Sequence, residues 1–163
     1  KVVSLTVEPV TLPNGEHVEL EIVHHPGGAA VVALDGAGRV CLLRQYRHAA
    51  GGWLWELPAG KLDAGEPPQV TARRELAEEA GVAAREWLGL GTVVSSPGVF
   101  TEVVHLYLAR DLSPAVAARE RGEVFEAHWI PLQEAVARAL SGDIVDGKTV
   151  IGLLRAAAVS PAV

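Results

Sequence analysis

The 163-residue sequence has a single cysteine, Cys41, so no internal disulfide can staple the fold. A chain of this length buries enough apolar surface to do without one. Cys41 sits in the apolar run Val40 to Leu43, where a lone thiol behaves as a small buried hydrophobe. No acid–base partner lies near it in sequence to make it a nucleophile. A reducing, cytoplasmic compartment is the expectation. An excess of basic residues is also missing. Lys and Arg number 14 against 20 Asp and Glu, for a formal net charge of −6. That argues against a nucleic-acid partner, which calls for a basic face. A phosphate-bearing small molecule stays compatible if cations bridge it to the acidic groups. No apolar run is long enough to cross a bilayer, so no membrane partner is expected. No signal peptide is visible, although residue 1 is Lys. Internal repeats, low-complexity tracts and interdomain linkers are lacking too, which leaves one domain over 1–163 as the expectation.

Hydrophobic patterning supplies the elements. Val3, Leu5 and Val7 alternate with polar residues, and Val18, Leu20 and Ile22 do so again beyond the turn Pro13-Asn14-Gly15. Residues 2–23 therefore predict a hairpin of half-buried strands. Ala29 to Leu34 is a continuous apolar run, the signature of a central strand. Strands follow over Arg39 to Gln45 and Trp53 to Leu57, then a Gly- and Pro-rich loop from Gly60 to Pro68. A helix is predicted from about Pro67 to Ala80, with Pro68 in its first turn and Gly81 as its C-terminal cap. Trp87 to Val94, Val103 to Ala109 and Val124 to Ile130 read as strands. Asp111 to Gly122 has no clear period. Pro131 opens a helix through about Leu140, and Lys148 to Val159 forms the last. This order predicts an α/β layered domain.

The helix over 67–80 carries three carboxylates, Glu75, Glu78 and Glu79. At about 100° per residue they fall within an arc of roughly 100°. Ala72, Leu76 and Ala80 recur on another side and can face a core. Like charges so close destabilise an isolated helix. They are tolerated on a solvated face, with Arg73 and Arg74 as neutralising partners, or around a cation. Clustered carboxylates select hard cations, hence Mg²⁺ or Mn²⁺. The triplet alone leaves both readings open.

The wider spacing separates them. Gly60, Glu66, Arg74-Glu75-Leu76, Glu78-Glu79 and Gly81-Val82 match every fixed position of the Nudix box. The chain thus resembles the Nudix hydrolases. The resemblance implies the Nudix fold, an α/β (α+β) arrangement with a mixed β-sheet sandwiched between helices, here preceded by the N-terminal hairpin. It also implies hydrolysis of a nucleoside diphosphate linked to another moiety. Carried over residue by residue, it makes Glu75 and Glu79 metal ligands, with Glu78 supporting or sharing the metal and the carbonyl of Ala59 as a further ligand. Arg74 and Glu66 become internal braces. Such an assignment suits a reaction in which cations clamp the phosphates and acidify a water.

Outside the box, Arg44-Gln45-Tyr46-Arg47-His48, the run Trp53 to Gly60, Ser96-Pro97-Gly98, Glu102 and Asp143 to Asp146 resemble the ADP-ribose pyrophosphatase subfamily. There the match implies that Arg47 contacts the diphosphate, with Arg44 as a second candidate; the alternative is a strand-end arginine paired with a carboxylate. Gly98 and Glu102 fall on the loop that relatives place beside substrate. The acid that usually precedes Glu102 is replaced by Thr101. A loop acid before the last strand is implied as general base or further metal ligand, and Glu123 fits by offset, with Glu120 second and a solvated loop charge as the alternative. Trp53 and Trp55 either stack on a base or pack.

Three functions follow from the resemblance. One is Mg²⁺-dependent hydrolysis of ADP-ribose to AMP and ribose 5-phosphate. Another is hydrolysis of a different nucleotide sugar such as GDP-mannose. The third is a non-catalytic ADP-ribose sensor, which an intact box disfavours. The resemblance also implies a homodimer, with 1–25 as the dimerisation hairpin and 28–159 as the catalytic core.

Overall fold

Two cores organise the chain, and their residues alternate along the same strands. The computed structural model describes residues 2–117, 122 and 124–160. Strand β3 (Gly28–Ala33) is buried throughout. Its Ala30 and Val32 enter one core, and its Ala29, Val31 and Ala33 the other. Strand β4 (Arg39–Arg47) divides the same way, with Val40 and Leu42 on one side and Cys41 and Leu43 on the other. This is the period of two that puts successive side chains on opposite faces. It explains why both strands read as unbroken apolar runs.

Helices cover both faces. Helix α1 (Pro68–Ala80) closes one core with Ala72 and Leu76, while α2 (Leu132–Ser141) and α3 (Gly147–Val159) close the other with Ala135, Ala139, Leu153 and Ala156. Burying each such leucine stabilises the fold by about 1.5–3 kcal/mol. Extended Pro67 leads into α1, Pro68 supplies a preset first turn, and Gly81 ends the helix at a left-handed φ of 65°. The two-faced architecture expected from the sequence is what the chain adopts.

Among the described residues, hydrogen bonding divides the strands into three sheets. A four-stranded mixed sheet runs β6 (Ala59–Lys61), β3, β8 (Val103–Pro114), β7 (Val82–Val94), with β3 and β8 parallel. An antiparallel sheet runs β5 (Gly52–Glu56), β4, β9 (Phe125–Pro131). The hairpin of β1 (Ser4–Thr11) and β2 (His17–His24) stands as a two-stranded sheet. It touches the rest through the loop after β7, where Val23 donates to Val99 O at 2.7 Å and Thr101 donates to Val23 O at 3.0 Å.

Four expectations change. The alternation in the hairpin buries little within this chain, since Leu5 is 66% and Val7 60% exposed. The loop expected from Gly60 gives up its start to β6, which pairs Gly60 with Ala29 of β3. Strand β7 begins at Val82 rather than Trp87. Strand β8 runs on to Pro114, through part of the tract that lacks a hydrophobic period. That extension is a two-stranded ribbon, pairing Val82 with Pro114, and Arg85 grips Asp111 at 2.7 and 3.0 Å. Backbone pairing and an ion pair replace the apolar pattern there.

Candidate active site

The box residues meet where β6 runs beside α1. A Cβ built at Gly60 would fall inside the Glu75 carboxylate, so glycine here leaves the space that this side chain occupies against the strand. Next to it, Ala59 N–H donates to Glu79 Oε2 at 2.8 Å, and Glu79 is 4% exposed. Arg74 braces the assembly. Its guanidinium reaches Glu75 at 2.6 Å, Glu66 at 3.3 Å, Glu78 at 3.4 Å and the Lys61 carbonyl at 3.4 Å. Thr71 Oγ1 adds a 2.6 Å bond to Glu66, and that hydroxyl, ahead of Arg74, holds the Glu66 carboxyl below its ordinary pKa. Glu66 and Arg74 therefore serve as braces, as the box resemblance implies.

A second charged cluster lies beside the first. Glu56, at the end of β5, is 2% exposed. Arg47 grips it through Nε at 2.7 Å and Nη2 at 3.0 Å, and Lys148 Nζ bonds it at 2.6 Å. Burial works against the Glu56 charge, but the bonds from Arg47 and the charge of Lys148 outweigh it and hold the carboxyl below its usual range. Lys148 also bonds Asp146 Oδ2 at 3.0 Å. Asp146 caps α3 by accepting from Thr149 N–H at 3.1 Å and Thr149 Oγ1 at 2.6 Å. The Thr149 hydroxyl in turn accepts from Leu57 N–H at 2.8 Å. The start of α3 is thus pinned to the segment after β5. Thr149→Val should cost about 1–3 kcal/mol, because the buried Leu57 N–H loses its acceptor; urea unfolding of the variant checks this, and an unchanged midpoint contradicts it.

Between the clusters opens a cavity of about 590 Å³ whose lining includes Ala59, Glu75, Arg47, Lys148, Glu102 and His25. His25 Nδ1 lies 3.3 Å from Glu102 Oε1. Of the residues expected at the site, Ala59, Glu75, Arg47 and Glu102 line this space. Glu78 and Glu79 lie on the same helix, Glu78 held by Arg74 and Glu79 by Ala59. Arg44 and Gly98 are not among the lining residues. Arg44 stacks on the Trp53 ring at 5.6 Å. Gly98 sits in the exposed turn between β7 and β8. Trp53 meets Tyr46 edge-on, and Trp55 packs against Arg138 and His128. Glu123 and Glu120 fall outside the described residues. Cys41 is buried, and burial pushes its thiol up to about 12, as an inert side chain requires.

Glu56 and Lys148 were not among the sequence candidates. A faint signal existed. Glu56 is an acid in an otherwise apolar strand, and Lys148 opens a helix just after a capping Asp146. Their pairing spans 92 residues, which local spacing cannot reveal.

The donors present suit a hard divalent cation. Helix α1 carries three carboxylates and the strand beside it a backbone carbonyl at Ala59, and oxygen ligands are what such cations take. Among the described residues no three His, Cys, Asp or Glu side chains already stand in a metal-holding arrangement. Arg74 has its guanidinium on Glu75 and Glu78 instead.

Comparison with known proteins fixes the class. The NUDIX domain family matches residues 24–150, so the chain belongs to that family and is a Nudix hydrolase. It is 42% identical over 161 residues to an ADP-ribose pyrophosphatase of Mycobacterium tuberculosis, a match covering 96% of this chain and 77% of that protein. It is 33% identical over 155 residues to a GDP-mannose pyrophosphatase of Citrobacter koseri, covering 87% and 80% respectively. A crystal structure described as an ADP compounds hydrolase superposes with a TM-score of 0.77 at 21% identity, over 97% of this chain and 94% of that one. That likeness extends the family match to the fold. No helix among the described residues is long and apolar enough to cross a membrane.

Proposed function

We propose that the chain hydrolyses ADP-ribose to AMP and ribose 5-phosphate, with Mg²⁺ or Mn²⁺ held by Glu75, Glu78, Glu79 and the Ala59 carbonyl oxygen. The observation that carries this reading is a single cavity lined both by box residues, Ala59 and Glu75, and by the cation Arg47. A diphosphate needs both kinds of wall. When bound, the metal ion would neutralise phosphate charge and lower the pKa of a water. Arg47 keeps N–H donors beyond those spent on Glu56 and can place them on phosphate oxygens. One water is consumed; its oxygen adds to one phosphorus, and the bridging oxygen departs with the other phosphate. Glu123 is the proposed base for that water. Glu102, with His25 beside it, is assigned to the ribose or base end.

The 42% identity to a protein named for ADP-ribose favours that substrate. GDP-mannose is the second reading, because a relative at 33% identity is named for it. Phosphate release from a panel of nucleotide sugars, coupled to a phosphatase, decides between them. Fastest release with ADP-ribose supports the first reading, and fastest release with GDP-mannose the second. Binding of ADP-ribose with no release from any compound would make the chain a sensor.

The assembly proposed is a homodimer of single-domain subunits over 1–163, joined through the hairpin of 1–25. Its support is the pair of exposed alternating residues Leu5 and Val7, which an isolated chain leaves in water. Light scattering after size exclusion should give twice the chain mass. Leu5→Asp combined with Val7→Asp should halve it, and a variant still dimeric would clear the hairpin of this role.

A further inference from the structure

Glu56 holds more cation than one carboxylate needs. Arg47 alone satisfies it with a two-bond fork, yet Lys148 reaches the same carboxylate from α3, at 2.6 Å. Lys148 and Arg47 both line the cavity, whereas Glu56 does not. The buried carboxylate is therefore held by two cations whose residues line the cavity.

Counting donors indicates what the heads can still do. A guanidinium has five N–H donors and an ammonium three. Arg47 spends one from Nε and one from Nη2 on Glu56, leaving three, both hydrogens of Nη1 and the second of Nη2. Lys148 spends two, on Glu56 and Asp146, leaving one. The four charges of Arg47, Lys148, Glu56 and Asp146 balance, so the cluster has no surplus charge of its own. It offers fixed donors. Lys148 is fixed twice over, by its two carboxylates and by the α3 start that Thr149 ties to Leu57. An anion with several oxygens is the partner that uses such an array.

We propose that Lys148 is a second anion-binding group of this site, aimed with Arg47 into the cavity by the buried carboxylate of Glu56, and that the pair grips the substrate diphosphate from elements separate from the box helix. Glu56 is then a positioning residue that never touches substrate. The assignment rests on the reading of the site as a diphosphate hydrolase, but its test needs no particular nucleotide sugar.

Calorimetry with inorganic pyrophosphate in the presence of Ca²⁺ tests it directly. Lys148→Gln should raise the dissociation constant about 10- to 100-fold, the loss expected for a charged hydrogen bond, and Lys148→Arg should recover most of it. In turnover of the preferred nucleotide sugar, Lys148→Gln should raise KM far more than it lowers kcat. A lysine that only neutralises Glu56 predicts another result, a lower Tm with pyrophosphate affinity and KM unchanged; that result overturns the proposal. If Lys148→Gln does not fold, the wild-type protein still decides. Saturating pyrophosphate should protect Lys148 from an amine-acylating reagent, read by mass spectrometry, and equal labelling with and without pyrophosphate overturns it. Failure of ADP-ribose hydrolysis would instead count against the substrate assignment and leave the pyrophosphate result standing.

Discussion

Glu79→Gln is expected to leave a folded protein whose turnover falls about 100-fold or more at saturating Mg²⁺. The geometry separates the two roles of this side chain. Its Oε2 accepts from Ala59 N–H, and a glutamine Oε1 can accept the same bond. The local fold therefore survives. What disappears is a negative charge on a residue proposed as a metal ligand. Removing partners that merely orient a ligand costs about 10–100-fold, so loss of a charged ligand should reach at least the upper end. Thermal melting and steady-state turnover, run side by side, check this. A variant with normal Tm and near-normal turnover would remove Glu79 from the metal site.

The helix that carries Glu79 could be delimited from sequence, because its punctuation is local. Pro68 and Gly81 mark its ends, and the structure runs it from Pro68 to Ala80. The box is equally local, since its spacing lies within one loop and one helix. Where the sequence misled, the deciding partner lay elsewhere in the chain. The polar continuation of β8 is held by pairing to β7 and by Arg85 on Asp111, and hydrophobic period does not report such pairing. Asp111 has φ of 54° there, a backbone conformation no strand pattern announces.

Arg44 and Arg47 illustrate a signal that was present and unused. They lie three apart on one strand, so a period of two sends them to opposite faces. Arg44 shares its side with Trp55 and Tyr46 with Trp53, through direct cross-strand pairing, while Arg47 lies on the side of Gln45 and Leu43. Both sides are buried at Leu42 and Leu43, and only at this end of the strand do they differ, Gln45 being buried while Arg44 and Tyr46 are exposed. Alternation alone separates Arg47 from Arg44 and turns Trp53 and Trp55 away from Arg47. It could not have supplied Glu56 as a partner, because a buried acid is tolerated only once its cations are known.

That dependence makes Glu56→Gln the second large effect, on stability rather than chemistry. Removing one partner of a buried ion pair costs about 3–5 kcal/mol, because the remaining charge is left uncompensated. Arg47 is partly exposed and Lys148 keeps Asp146, so the lower end, about 3 kcal/mol, is the expectation. A pH signature identifies the cause. The folded Glu56 carboxyl lies below its ordinary pKa, after burial is outweighed by Arg47 and Lys148. Protons thus bind the unfolded chain more readily at this position, and the stabilisation is complete above the ordinary glutamate value of about 4.3. It is lost as pH falls from there through the lower folded value. Urea unfolding at a series of pH values should therefore show wild-type stability falling more steeply below about 4.3 than that of the variant, with a constant gap between them above it. Parallel curves over the whole range would mean that Glu56 is not the residue that couples this fold to acid.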